Sequence, residues 1–118
     1  MAASDATLDH GKGHPRACGT FPRVLSRYVK GSILTLDDAV SRMTIRPADR
    51  LGLSDKGRLT PGADGDLVIF DPETIADRAS FASPLTPPAG ISRVYVGGKL
   101  ALQDGIILDR CAGRSVRG

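Results

Sequence analysis

Near residue 55 the chain changes its hydrophobic period, and that change limits what it can fold into. Upstream, apolar residues recur at helical spacing. Val24, Leu25, Tyr28 and Val29 fall on one helical face, and Leu36, Ala39, Val40 and Met43 fall on another. Downstream, short apolar runs alternate with turn dipeptides, which is strand punctuation. Leu67-Val68-Ile69-Phe70 is a continuous apolar run between Asp66 and Asp71-Pro72 and reads as a buried strand. A strand of that kind wants cover on both faces.

The punctuation refines this outline. Residues 1–19 hold three glycines, both histidines and one proline without apolar periodicity, and read as a loop. Thr20 reads as the N-cap of the first helix, with Pro22 close to its first turn and Gly31 at its end. Thr35 caps the second helix, and Asp37 and Asp38 suit its positive end. Pro47 opens a short third helix, Ala48 to Leu51, with Gly52 as its C-terminal cap. Thr74 to Phe81 reads either as a helical turn or as an extended connection, and Pro84, Pro87 and Pro88 make a loop. Val94-Tyr95-Val96, Gly97-Gly98 and Lys99 to Leu102 read as a hairpin with a two-residue turn. Asp104-Gly105 is a second turn before Ile106-Ile107-Leu108. The polar, basic tail from Ala112 to Gly118 is expected to fray.

The core must be aliphatic, because the chain has three Phe, two Tyr and no Trp. Burying one aliphatic side chain is worth roughly 1.5–3 kcal/mol. Ordering a chain of this size costs on the order of 100–200 kcal/mol. A thin core predicts marginal stability or a missing packing partner. A long loop, then helices, then a few apolar strands is an awkward order for an independent domain.

Composition also excludes some functions. The net charge of +3 comes from 16 Lys and Arg against 13 Asp and Glu, and the basic residues are scattered. Without a basic stripe and interleaved aromatics, the pattern argues against nucleic-acid binding. No apolar run reaches the roughly 18 residues of a membrane span. The N-terminus carries no secretory signal pattern, which favours a cytoplasmic location. Cys18 and Cys111 lack CxxC spacing and read as two free thiols.

Two segments could carry chemistry. Asp5 stands among small residues ahead of a glycine-rich loop, where a carboxylate can serve as general acid/base or bind a metal. In His14-Pro15-Arg16, the planar guanidinium suits a carboxylate or phosphate, and the imidazole suits proton transfer or metal binding. By residue type alone, both segments read first as solvated surface. Asp5, Asp9, His10, His14 and Cys18 lie near one another in sequence but lack metal-site spacing, so no metal site is assigned. Gly11-Lys12-Gly13 lacks the pattern of a phosphate-binding loop. Gly62 to Asp66 and Asp71-Pro72 are read as turns.

Taken in order, the motifs resemble one family. They are Ala3-Ser4-Asp5, His14-Pro15-Arg16-x-x-Gly19-Thr20-Phe21-Pro22-Arg23-Val24-Leu25, Pro47-Ala48-x-Arg50-Leu51-Gly52-Leu53, and Gly57-Arg58-Leu59 through Asp66-Leu67-Val68-Ile69-Phe70-Asp71-Pro72. The chain resembles the N-acyl-D-amino-acid deacylases of the amidohydrolase superfamily over nearly its whole length. The HPR and GTFPRVL strings are the specific part; the strand-and-turn string is shared by many amidohydrolases. The resemblance implies an α/β fold, the C-terminal portion of a (β/α)₈ barrel followed by part of a small β domain. Residues 1–54 would supply the last barrel strand, an active-site loop and helices, and residues 55–118 the β domain. Asp5 matches the family's acid/base aspartate, and Arg16 the arginine that engages the α-carboxylate of an N-acyl-D-amino acid. The full-length family uses zinc. Its ligands (an HxH, a cysteine and further histidines) lie upstream, and no counterpart stands here. The segment around Lys30-Gly31-Ser32 is also shortened.

The resemblance therefore implies hydrolysis of N-acyl-D-amino acids by a larger metal-dependent enzyme, with no zinc bound and no turnover by this chain alone. A partner would be an upstream barrel fragment, with neither nucleic acid nor membrane. The alternative is a non-catalytic remnant or interaction module that needs a partner chain.

Overall fold

A computed structural model describes residues 1–10 and 12–116. Gly11, Arg117 and Gly118, including the end of the tail expected to fray, lie outside the described residues. The chain forms two compact units, each discontinuous in sequence. A helical unit comprises Ala2–Val40 and Asp71–Gly90; a sheet unit comprises Met1, Ser41–Phe70 and Ile91–Gly118.

In the helical unit, residues 2–7 have no regular structure. Two short strands follow, β1 (Leu8–Asp9) and β2 (Lys12–Gly13), paired antiparallel. Helix α1 then runs Arg16–Arg23. It begins earlier than the Thr20 cap and the 1–19 loop predict, for two local reasons. Pro15 enters the helix with its fixed φ, and the Nδ1 of His14 accepts the otherwise unpaired N–H of Arg16 at 3.1 Å. Thr20 is one turn inside, where its hydroxyl donates to the Arg16 carbonyl at 2.9 Å rather than capping. Pro22 is likewise interior, so the Cys18 carbonyl loses its helical donor. Val24–Val29 continues as a π-helix, with Leu25 buried.

Helix α2 (Leu36–Met43) starts as its sequence predicts. The Thr35 hydroxyl oxygen accepts the Asp38 N–H at 3.1 Å, and Ala39 is fully buried. Residues 74–81 are extended rather than helical: Ala76 and Ala89 bond across an antiparallel bridge, and the adjacent Ile75 is only 2% exposed. Asp71 shapes the entry to this stretch. Its carboxylate accepts the Glu73 N–H at 2.8 Å and the Thr74 hydroxyl at 2.9 Å, and the Glu73 bond leads in holding it below the usual carboxylate range.

The sheet unit opens with α3 (Ile45–Arg50), which begins two residues ahead of Pro47. It closes as a Schellman cap: Leu53 N–H donates to Ala48 at 2.9 Å and Gly52 N–H to Asp49 at 3.2 Å. Four antiparallel strands follow in the order β3 (Leu67–Phe70), β4 (Ile91–Val96), β5 (Lys99–Gln103), β6 (Ile106–Ile107). The β4–β5 turn is Gly97-Gly98, at φ 56° and 78°, which only glycine adopts twice in succession without cost. Asp104-Gly105 makes the β5–β6 turn.

β3 is a strand, as its apolar run predicts, but it is not buried. It lies at an edge of the sheet with Val68 and Ile69 about half exposed. Val68 and Ile69 point to opposite faces, so neither face of this strand is fully covered. Among the described residues, the buried apolar side chains are Leu25, Ala39, Ala48, Ile75 and Ala101, three of them alanines. The thin core expected from composition is what is found. No helix among the described residues is long and apolar enough to cross a membrane.

Candidate active site

Asp5 and Arg16 come together in the helical unit. Asp5 lies in the irregular segment ahead of β1, at φ 47°, a left-handed conformation that Asp visits more readily than most residues. Its carboxylate is almost fully exposed, with one oxygen 3.7 Å from a terminal nitrogen of Arg16. At that distance the two attract without a hydrogen bond. Asp5 therefore takes none of the guanidinium's hydrogen-bond donors. Arg16 stands at the first turn of α1, with its own N–H tied to His14.

The floor beneath Arg16 is built from α1 and the extended 77–81 stretch. They enclose a hollow of about 220 Å³ lined by His14, Arg16, Gly19, Arg23, Asp77 and Phe81, among others. The His14 ring meets Phe81 edge-on, 4.9 Å between centroids. Asp77 is the anchor. Its side chain is 5% exposed, and one carboxylate oxygen accepts the Nε–H of Arg23 at 2.7 Å, with a terminal nitrogen of that guanidinium in ion-pair contact at 2.7 Å. The other oxygen accepts the Ala79 N–H at 2.9 Å. Gly19 makes the approach possible, because a Cβ there would collide with the Asp77 carboxylate.

Sequence reasoning singled out Asp5, Arg16 and His14 and missed Asp77, Arg23 and Phe81. A signal was present in Gly19: a glycine inside a helix costs about 1 kcal/mol against alanine and points to close packing. Its partner is far along the chain and carries no mark in the sequence.

In the sheet unit, Asp64 and Asp66 do structural work, in keeping with their reading as turn residues. Lys56 bonds to both, at 2.8 Å to Asp64, and Arg114 reaches the two Asp64 oxygens at 3.1 and 3.2 Å. Asp66 also accepts the Gly97 N–H at 2.8 Å, which ties the hairpin turn to the strand entry. Lys56 is the leading cause that holds both carboxyls below the usual range, and the two aspartates, Asp64 first, push Lys56 up.

No group of three or more His, Cys, Asp and Glu side chains among the described residues could hold a metal ion. His10 and Asp9 pair at 3.5 Å, but both are exposed and have no third partner of that kind. Among the described residues, no set of side chains fits a zinc centre. Cys18 and Cys111 are free thiols.

Comparison with known proteins places this geometry. The amidohydrolase family profile matches residues 1–101. N-acyl-D-glutamate deacylase of Alcaligenes xylosoxydans xylosoxydans is 46% identical over 99 residues, covering 83% of this chain and 20% of that protein. D-aminoacylase of the same organism is 43% identical over 115 residues, covering 97% of this chain and 24% of that protein. Among solved structures, a D-aminoacylase aligns at TM-score 0.90 and 42% identity over 95% of this chain and 24% of its own. N-acyl-D-glutamate deacylase from Bordetella bronchiseptica, complexed with zinc and a phosphonate mimic of the tetrahedral intermediate, aligns at TM-score 0.89 and 40% identity over 98% of this chain and 24% of its own. The chain spans about a quarter of the length of these relatives. It belongs to the amidohydrolase family, on the branch of the N-acyl-D-amino-acid deacylases.

Proposed function

We propose that the chain is the C-terminal portion of a cytoplasmic, metal-dependent amidohydrolase that cleaves the amide bond of N-acyl-D-amino acids. Residues 1–54 would be the end of the barrel and residues 55–118 part of the small β domain. Arg16 binds the substrate α-carboxylate through its guanidinium. Asp5 is the proton carrier: it takes up a proton as the amide carbon is attacked and delivers it to the leaving nitrogen. The observation that carries this reading is the Asp5–Arg16 pair. A carboxylate and a guanidinium stand 3.7 Å apart, both accessible, where one small substrate reaches both. No hydrolytic step is assigned to the isolated chain, because metal ligands must come from elsewhere.

A chimera tests the proposal. This chain replaces the matching quarter of the Alcaligenes D-aminoacylase, and turnover of N-acetyl-D-amino acids is measured with metal content. The expected chimera binds metal and turns over, and loses turnover on Asp5→Asn. A metal-loaded, folded chimera without turnover would refute the reading. A non-catalytic module needing a partner chain is the second reading, favoured by the half-exposed apolar edge strand Leu67–Phe70. It predicts that inactive, metal-loaded chimera.

A further inference from the structure

The helical unit contains a buried charge that the proposed chemistry does not use. The Asp77 side chain is 5% exposed, and its carboxylate is engaged on both oxygens: Arg23 Nε–H donates to one, with a terminal nitrogen of the same guanidinium in ion-pair contact, and Ala79 N–H donates to the other. Burying a carboxylate costs several kcal/mol unless it is paired. Removing one partner of such a pair is strongly unfavourable, so the contact holds its two elements in one arrangement. One element is α1. Arg16, Gly19 and Arg23 all line the same hollow, and seven residues, about two turns, separate the two arginines. The other is the stretch that carries Phe81, against which His14 packs, and His14 in turn accepts the Arg16 N–H. Both ends of α1 are thus fixed to residues 77–81, and Arg16 stands on the first turn between those attachments.

We propose that Asp77 is a positioning residue for carboxylate recognition: through Arg23 it fixes α1, and so the direction in which Arg16 presents its guanidinium. This rests on the reading of Arg16 as the carboxylate-binding group. Gly19 belongs to the same device, since only a residue without a side chain lets α1 approach the Asp77 carboxylate.

The test uses the full 118-residue chain, labelled with ¹⁵N. The Arg16 Nε–H signal is followed during titration with N-acetyl-D-alanine and, separately, with N-acetyl-D-alaninamide. In the parent chain, the acid is expected to shift the signal saturably and the amide to leave it unmoved. Asp77→Asn is expected to weaken binding of the acid about tenfold or more, with the backbone amide spectrum still dispersed. Arg23→Lys, which keeps the charge and loses the Nε–H bond, is expected to fall between the two. If the Asp77→Asn spectrum collapses, the Arg23→Lys titration decides by the same criterion. Unchanged affinity in the folded variants would overturn the positioning role and leave the Arg16 reading standing. A parent chain with a dispersed backbone amide spectrum whose Arg16 signal ignores the acid would overturn the Arg16 reading, and the positioning role with it.

Discussion

The sheet unit and the helical unit are organised by contacts of different reach. In the sheet unit, two-residue turns join β4 to β5 and β5 to β6, and Lys56 gathers Asp64 and Asp66 from ten residues away or fewer. In the helical unit, the decisive contact joins Arg23 to Asp77, 54 residues apart. The turns of the sheet unit are therefore specified locally, although Asp66 also reaches Gly97 and Asp64 reaches Arg114 far along the chain, and the unit presents compensated charges. The helical unit is tied together by the long-range Arg23–Asp77 contact, with Lys30 also bonding the Glu73 carbonyl, and presents a carboxylate and a guanidinium to solvent. The difference separates a scaffold from a site: chemistry needs accessible groups, and something buried must hold them in place.

The largest expected effect lies on the site side. In the chimera, Asp5→Asn should lower turnover by roughly 10²–10⁴-fold with metal content unchanged, as the loss of an acid/base group does. Turnover near the parent level would remove Asp5 from that role. Arg16→Ala should raise KM about 10–100-fold for substrates with a free α-carboxylate, the loss of one charge-assisted contact, and hardly alter KM for their amides. Equal losses on both would make Arg16 structural.

The next contrast sets the clamp against the turn. Gly19→Ala forces a side chain toward the Asp77 carboxylate and should destabilise the chain by about 1–3 kcal/mol in denaturant unfolding. Gly98→Ala has open space around it but must hold φ 78°, and should cost about 1 kcal/mol. A larger loss at Gly98 would reverse the ranking of the two units.

The smallest effect is the pH dependence of the sheet unit. The carboxyls of Asp64 and Asp66 lie below their ordinary values, so their contribution is present above about pH 4 and is lost as pH falls through the folded-state values. Lys56 is raised, so its contribution is present below 10.5 and is lost as pH rises through its folded-state value. The groups are partly exposed and screened, so the expected change is slight. Hydrogen exchange of the Gly97 amide, bonded to Asp66, should quicken beyond its intrinsic pH dependence below pH 4. Protection that persists there would show that the turn does not need the Lys56 cluster.

This difference in reach also explains what could be read from sequence. The Gly97-Gly98 hairpin, the Asp104-Gly105 turn, the Thr35 cap and the Gly52 stop each depend on residues within a few positions, and each is found. The start of α1 was misplaced because His14 and Pro15 outweigh Thr20, a competition among neighbours that a cap rule does not resolve. Leu67–Phe70 was legible as a strand but not as an edge, because cover depends on what packs against it. Asp77 was illegible: nothing local marks it as the buried partner of Arg23. Asp5 and Arg16 are singled out by the family motif, and the structure brings them within 3.7 Å; their residue types alone read first as solvated surface.

The central claim is that this chain holds the acid/base and carboxylate-binding groups of a deacylase but not its metal centre. The most direct measurement is hydrolysis of N-acetyl-D-amino acids by the purified chain with added zinc, with bound metal quantified in the same sample. The account predicts neither turnover nor stoichiometric metal. Turnover with one or more zinc ions bound per chain would contradict it, and would put the ligands among Asp5, Asp9, His10, His14 and Cys18.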